Sequence, residues 1–160
     1  MSAIQVGIIG TGFSGSFHVE ALRRVPGVKI VAVSGSRIEK ARAFADQYGI
    51  PKAYGSPEEL IADPEVQAVH NCTPNDMHYR VNKQVLLAGK HLLSEKPVTK
   101  NSEESAELVE LSRRSAGVSG VCYNYRHFPL VNQSSLMSIW ILISLYIRCH
   151  RSAVRIFRSQ

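Results

Sequence analysis

Short apolar runs alternate with amphipathic stretches over about residues 1–125 of the 160-residue chain. The runs have the length of buried β-strands, and the stretches between them carry apolar residues at helical spacing. Glycines such as Gly49 and Gly89 stand where helices are expected to end. The pattern predicts strands over residues 5–9, 29–33, 52–54, 66–72, 91–94 and 118–123.

The helix after the first strand is predicted over residues 16–25, with one apolar face turned to the sheet. That face consists of Phe17, Ala21, Leu22 and Val25. The later helices begin at polar residues that suit N-terminal capping. The second helix is predicted over residues 38–48, and the third begins at residue 57, after a capping box of Ser56, Pro57 and Glu59. The fourth is predicted over residues 75–88, capped by Asn75 or Asp76, and the fifth over residues 103–115, capped by Ser102.

Strands alternating with helices favour right-handed crossovers and a parallel sheet that is covered on both faces. The predicted fold class is therefore α/β, with a Rossmann-type doubly wound parallel sheet in residues 1–128. Ligands of such sheets bind at the carboxyl ends of the strands. Polar motifs follow most of the predicted strands, so we expect them to meet at this edge of the sheet.

A glycine-rich turn, Gly10-Thr-Gly12-Phe13-Ser14-Gly15, joins the first strand to its helix. Gly10 permits the tight turn, Gly12 lets the backbone approach a pyrophosphate, and Gly15 lets the helix pack on its strand. The N–H groups and the positive dipole end of that helix suit a diphosphate. With a strand before it and a helix after it, the motif predicts a dinucleotide site rather than a plain βα turn.

The residues after the second strand, Ser34-Gly35-Ser36-Arg37, bear on the choice of cofactor. A site that prefers NAD usually has an acid here, which binds the ribose 2′-hydroxyl. No acid is present, and Ser36 with Arg37 suits a 2′-phosphate through charge-assisted hydrogen bonds. The sequence therefore favours NADP over NAD. The alternative is that Arg37 is only a solvent-exposed residue at a helix start.

Thr73-Pro74-Asn75 follows the fourth strand, and His78 lies on the first turn of the next helix. Pro74 fixes a turn that directs its neighbours to the strand ends. Capping by Asn75, with His78 as a surface residue, explains the same residues without any ligand. On local grounds this second interpretation is the stronger one.

Glu95-Lys96-Pro97 follows the fifth strand, and Asn124 and Arg126 follow the sixth. Beside a nicotinamide, Lys96 could bind a substrate hydroxyl or take part in proton transfer. The alternative is a surface ion pair between Glu95 and Lys96, which contributes little. The residues after the sixth strand either line the nicotinamide end of the site or form an exit loop.

Taken together, four motifs resemble the glucose-fructose oxidoreductase, inositol dehydrogenase and rhizopine-catabolism family, Gfo/Idh/MocA. The similarity covers about residues 3–131. The resemblance implies a Rossmann domain that binds NAD or NADP and a second domain that binds a sugar, a polyol or a related alcohol. The motifs are the glycine turn with His18, Thr73-Pro74-Asn75 with His78, Glu95-Lys96-Pro97, and Asn124-Tyr125-Arg126 with Pro129.

The resemblance also implies a role for individual residues. Lys96 would be the catalytic or substrate-orienting lysine. With Ser36 and Arg37, which are inferred from the residues alone, the predicted cofactor-binding set is Gly10, Gly12, Phe13, Ser14, Gly15, Ser36, Arg37, Thr73, Pro74, Asn75, His78, Glu95, Lys96, Asn124 and Arg126.

The composition changes abruptly after residue 128. Residues 129–160 hold four arginines, no acid and no glycine, and the preceding residues carry only +2 of the net charge of +6. The basic balance therefore does not indicate a nucleic-acid surface on the body of the protein. Residues 136–147 are mostly apolar but shorter than the roughly 20 residues that span a membrane.

We expect residues 129–160 to be an atypical basic and apolar tail, an aberrant extension of a truncated dehydrogenase that lacks the substrate domain of the family. It would pack on the sheet or promote association into a homo-oligomer. The cysteines Cys72, Cys122 and Cys149 are widely spaced and show no zinc-ligand or disulfide pattern. They favour a cytoplasmic protein with reduced thiols and no metal.

Two functions compete on this evidence. The first is an oxidoreductase that transfers a hydride between a nicotinamide cofactor and a small hydroxyl or carbonyl substrate. The second is a non-catalytic nucleotide-binding module, with the same cofactor pocket but without a substrate wall.

Overall fold

The computed structural model describes residues 3–127. They form one sheet of six parallel strands with helices on both faces, so the predicted α/β fold is confirmed. The strands are β1 (Ile4–Ile9), β2 (Val28–Ser34), β3 (Lys52–Tyr54), β4 (Ala68–Asn71), β5 (His91–Ser94) and β6 (Ser119–Val121). The helices are α1 (Phe13–Leu22), α2 (Ile38–Tyr48), α3 (Pro57–Ala62), α4 (His78–Leu87) and α5 (Ser102–Arg114), with 3-10 turns at Asn75–Met77 and Asn124–His127.

The strand order is β3-β2-β1-β4-β5-β6. The order therefore reverses between β1 and β4, and the crevice at such a reversal is where sheets of this type bind ligands. The core lies on both faces, because alternate residues of a strand point to opposite sides. Val6 and Ile8 of β1 pack with α1 and α2, whereas Ile9 packs with α3, α4 and α5.

Helix α1 differs from the prediction in its bounds and in its buried face. It spans Phe13–Leu22 rather than residues 16–25. Phe17 and Val25, which were expected to face the sheet, are 61% and 47% exposed. Ala21 is exposed as well, and Leu22 is half-buried. The predicted apolar face is therefore wrong.

Gly15 explains which side of α1 faces the sheet. A Cβ atom on Gly15 would lie 2.2 Å from the Gly10 carbonyl oxygen, so this side of the helix lies directly against the turn at the end of β1. Residues three and four positions further on share the same face of a helix. His18 and Val19 are accordingly buried.

The starts of the other helices agree only in part with the prediction. The Ser56 hydroxyl accepts the amide of Glu59 at 3.3 Å, which confirms the predicted N-cap of α3. Asn101, rather than Ser102, caps α5. No side chain caps α4, which begins after the 3-10 turn, so capping by Asn75 or Asp76 is wrong.

Within residues 3–127, no helix is long and apolar enough to cross a membrane. The predicted tail at residues 129–160 lies outside the described residues.

Asp63 connects three segments near β3. Its carboxylate accepts hydrogen bonds from Lys52 Nζ, the Tyr54 hydroxyl and the Glu65 amide, each at 2.9 Å. Burial opposes ionisation of Asp63, but these bonds outweigh it and keep the pKa below its ordinary value of 3.8. Because the folded pKa is lowered, the stabilisation is present above pH 3.8 and is lost as the pH falls through the lower folded value.

Asp63→Asn is therefore expected to lower the free energy of unfolding at neutral pH more than in acid, since an amide cannot supply the ionised acceptor. Urea unfolding at about pH 7 and about pH 3 measures the difference. Glu65→Gln is the control, because Glu65 binds the same lysine from an exposed position. An equal loss at both pH values would contradict the assignment.

Candidate functional site

The glycine turn lies at the crevice between β1 and β4. Gly10 has φ +112°, and a Cβ atom there would lie 2.4 Å from the Cys72 carbonyl oxygen, so the turn requires glycine. Gly12 is different: its φ is −89°, and its Cβ atom would meet no atom within 4 Å. Open space above Gly12 is what a diphosphate that approaches this backbone needs.

The N-terminus of α1 is open to an anion. It has no side-chain cap and no acid in its first turn. By contrast, α3 and α5 are capped by Ser56 and Asn101, and each has two glutamates in its first turn. The amides of residues 13–15 in α1 therefore keep donors and the positive dipole end for a ligand. The turn fits the diphosphate of a dinucleotide.

Ser36 and Arg37 are exposed at the carboxyl end of β2. Arg37 is the N-cap residue of α2 through its backbone, and its side chain makes no cap hydrogen bond. The guanidinium is therefore available at the edge where the adenosine ribose of a dinucleotide would lie.

Buried amide side chains join the carboxyl ends of β4 and β5. Asn71 and Asn82 are both fully buried, and Asn71 Nδ2 donates to Asn82 Oδ1 at 2.8 Å. Asn71 Oδ1 accepts the Thr73 hydroxyl at 2.7 Å, and Asn82 Nδ2 donates to the Ser94 hydroxyl at 2.9 Å. This network fixes the Thr73 loop against the end of β5. Its asparagines were not among the predicted site residues.

His78 is buried, with 1% of its surface exposed. Its Nε2 lies 2.8 Å from the Thr73 carbonyl oxygen, and its Nδ1 lies 2.5 Å from the Pro97 carbonyl oxygen. Pro74 and Asn75 are exposed on the preceding turn. The alternative interpretation, a surface His78 behind an Asn75 cap, is therefore wrong.

Glu95 pairs with His18 of α1 and not with Lys96. His18 Nε2 lies 3.0 Å from Glu95 Oε1. Glu95 Oε2 accepts the backbone N–H of Lys96 at 3.2 Å, while the Lys96 side chain is exposed. The predicted alternative of a Glu95–Lys96 surface ion pair is therefore wrong. Burial opposes the charge on Glu95, but the His18 and Lys96 bonds outweigh it and hold the pKa below its ordinary value.

A second histidine completes this cluster. His70 of β4 places Nδ1 2.8 Å from Nδ1 of His18. Burial, with the nearby His18 as a smaller cause, lowers the pKa of His70 to about 4. His70 is therefore neutral at pH 7. One of the two facing ring nitrogens donates and the other accepts, while His18 Nε2 donates to the carboxylate.

His18, Glu95 and Cys122 each bring one metal-ligand atom within 4.8 Å of the others. The Cys122 thiol donates to Glu95, and burial followed by the Glu95 charge raises the pKa of Cys122. Hydrogen bonds thus satisfy these atoms as they stand. The three residues come from α1 and from the ends of β5 and β6, so no spacing in the sequence could have shown the cluster.

Asn124 lies on the 3-10 turn after β6 and is exposed. Its Oδ1 accepts the Tyr125 amide at 2.9 Å. Arg126 belongs to the same turn, and its side chain lies outside the part that the structure describes.

Residues 4–123 match the family model GFO_IDH_MocA, described as "Oxidoreductase family, NAD-binding Rossmann fold". The chain belongs to the Gfo/Idh/MocA family. The resemblance inferred from its motifs is confirmed, and so is the Rossmann domain that binds NAD or NADP.

Two relatives show how much of the length of a Gfo/Idh/MocA protein this chain matches. The uncharacterized oxidoreductase sll0816 of Synechocystis is 40% identical over 111 residues, which are 69% of this chain and 30% of the relative. The trans-1,2-dihydrobenzene-1,2-diol dehydrogenase of Xenopus laevis is 35% identical over 133 residues, which are 82% of this chain and 40% of the relative. The chain thus spans less than half the length of these relatives.

Solved structures of similar proteins carry the same fold. An NAD-binding oxidoreductase from Klebsiella pneumoniae has a TM-score of 0.78 at 30% identity, over 84% of this chain and 39% of that one. A levoglucosan dehydrogenase in complex with NADH and levoglucosan has a TM-score of 0.75 at 28% identity, over 78% and 36%. KijD10, a 3-ketoreductase from Actinomadura kijaniata in complex with NADP, has a TM-score of 0.76 at 27% identity, over 82% and 42%.

Proposed function

We propose that this chain is the cofactor-binding part of an NAD(P)-dependent oxidoreductase. The enzyme would transfer a hydride between the nicotinamide and a hydroxyl or carbonyl carbon of a sugar, a polyol or a related alcohol. The observation that carries the proposal is the uncapped N-terminus of α1 below the open space at Gly12. The dehydrogenases among its relatives, one of them bound to NADH and levoglucosan, support the reaction class.

We assign the following roles to the residues of the site. The amides of residues 12–15 bind the diphosphate, and the Thr73 loop and Glu95 shape the crevice toward the nicotinamide. The cofactor supplies the hydride chemistry when it is bound. The exposed Lys96 ammonium would donate a hydrogen bond to the substrate oxygen and take part in its proton transfer.

Titration of the purified chain with NADPH and NADH, followed by nicotinamide fluorescence, tests cofactor binding. A screen of sugars and polyols then tests turnover. Binding with turnover that Lys96→Ala abolishes supports the enzyme. Binding without turnover supports the second candidate, the non-catalytic module. No binding of either cofactor would contradict both functions.

For the choice of cofactor we favour NADP, because Arg37 is exposed at the end of β2 and no acid lies at residues 34–37. Arg37→Ala is expected to weaken NADPH binding roughly 10- to 100-fold, since a charge-assisted hydrogen bond contributes about 1.5–3 kcal/mol. NADH binding should change by less than about threefold.

The two dissociation constants, measured in the same buffer, check this prediction. Lys40→Ala on α2 is the control, because it removes an exposed positive charge one turn away. An equal effect of Arg37→Ala on NADPH and NADH would contradict recognition of the 2′-phosphate.

We also propose a reducing compartment such as the cytoplasm. Cys72 and Cys122 are free thiols, and burial, as the largest cause, raises the pKa of each above its ordinary value. Free thiols are the usual state of cysteines in a reducing compartment.

A further inference from the structure

Lys96 lies between two residues that are each held by a histidine from a different helix. On one side, His18 of α1 donates to Glu95 Oε1 at 3.0 Å, and Glu95 Oε2 accepts the Lys96 amide at 3.2 Å. On the other side, His78 of α4 places Nδ1 2.5 Å from the Pro97 carbonyl oxygen. His18 and His78 are only 8% and 1% exposed, so little water competes for these bonds.

The second nitrogen of each histidine faces the β4 side of the crevice. Nδ1 of His18 lies 2.8 Å from Nδ1 of His70, and Nε2 of His78 lies 2.8 Å from the Thr73 carbonyl oxygen. His18 therefore bridges the loop that carries Lys96 and β4. His78 lies between the Pro97 and Thr73 carbonyl oxygens, and a ring with one N–H donates to one of them while it packs against the other. The two histidines belong to α1 and α4, which pack on opposite faces of the sheet.

A lysine side chain is long and flexible, so its reach is set by where its backbone is held. The Lys96 side chain itself is exposed. What locates the ammonium is therefore the backbone on either side of it.

We propose that His18 and His78 form a clamp on Lys96: together they fix the backbone of Glu95 and Pro97 and so determine where the Lys96 ammonium meets the substrate. Both are positioning residues, since each acts through a neighbour of Lys96. The consequence for substrate rests on the proposed function, but the clamp is a property of the chain without cofactor.

Hydrogen exchange of the intact 160-residue chain, without cofactor, tests the clamp directly. His18→Leu and His78→Leu should each speed exchange of the peptide spanning residues 94–100 about tenfold, the equivalent of one lost hydrogen bond to a buried partner. Arg80→Leu, which changes an exposed residue of α4, should leave the rate at the wild-type value.

Conservative variants separate hydrogen bonding from packing. His18→Gln and His78→Gln keep a side-chain donor and should restore most of the slow exchange. Glu95→Gln keeps the size of the side chain but removes the charge that His18 binds. It should speed exchange about threefold and carries the test if a leucine variant does not fold.

Modification of Lys96 by acetic anhydride, with and without NADPH, tests the consequence. NADPH at about ten times the dissociation constant of each variant gives equal occupancy. Bound NADPH should protect Lys96 in the wild-type chain and in the glutamine variants, and much less in the leucine variants. Lys29, exposed near the start of β2, is the internal reference.

Wild-type exchange rates in folded His18→Leu and His78→Leu would overturn the clamp. Faster exchange in these variants, together with no binding of NADPH to the wild-type chain, would leave the clamp in place and overturn the proposed function instead.

Discussion

Gly12→Val is expected to abolish cofactor binding while the fold stays intact. The backbone of Gly12, at φ −89° and ψ −166°, is one that valine adopts, and its Cβ atom would meet no protein atom within 4 Å. The side chain would instead fill the space needed by the diphosphate. We expect the dissociation constant for NADPH to rise about 100-fold or more, because several charge-assisted bonds from the amides are lost together.

Fluorescence titration measures this loss, and thermal unfolding of the same sample measures the fold. The cost in stability should stay near 1 kcal/mol, the scale of a change at an N-cap. Gly15→Ala is the matched control, since its Cβ atom would lie 2.2 Å from the Gly10 carbonyl oxygen and should destabilise the fold itself. Tight NADPH binding by Gly12→Val would contradict the site.

Asn71→Ala is expected to be among the most destabilising single changes at the edge of the sheet. It removes the partner of the Asn82 side-chain oxygen and of the Thr73 hydroxyl, and Asn71 is fully buried. A buried polar group without a partner costs about 1–3 kcal/mol, so we expect a total loss of about 3 kcal/mol or more.

Urea unfolding at neutral pH measures this loss. Asn101→Ala is the control, because Asn101 is an exposed N-cap whose removal should cost about 1 kcal/mol. If Asn71→Ala is no more destabilising than Asn101→Ala, the network does not hold the β4 and β5 loops together in the way that its distances indicate.

The parallel sheet was predictable because its strands are short continuous apolar runs. Helices separate the strands, and glycine or proline stands near the ends of those helices. Each crossover then follows from chain handedness and burial. The glycine turn was predictable because it lies between a continuous apolar strand and a helix. Gly10 and Gly15 are required by close approaches to the Cys72 and Gly10 carbonyl oxygens, whereas Gly12 has open space around it.

The buried face of α1 was not predictable from its apolar residues. Phe17 and Val25 suggested the face, yet the close contact at Gly15 turns His18 and Val19 inward. The positions of apolar residues predict the buried face of a helix poorly when a glycine allows the helix to pack closely against the preceding strand and turn. The resulting exposed pair, Phe13 and Phe17, has ring centroids 4.5 Å apart.

The burial and the partners of the two histidines were not predictable, for a different reason. His78 reads locally as a surface residue, because its burial depends on two carbonyl oxygens supplied by separate loops. His18 and Glu95 are 77 positions apart and meet only once α1 and β5 are placed on the same sheet. Polar contacts of this kind follow from tertiary structure and leave no periodic signal in the sequence.

The most direct measurement is a ¹H–¹⁵N correlation spectrum of the isotope-labelled chain, recorded as NADPH is added. Binding at the start of α1 predicts that the amide resonances of residues 12–15 shift most and titrate with one dissociation constant. Unchanged resonances at these residues, in the presence of enough NADPH to saturate a dinucleotide site, would contradict it.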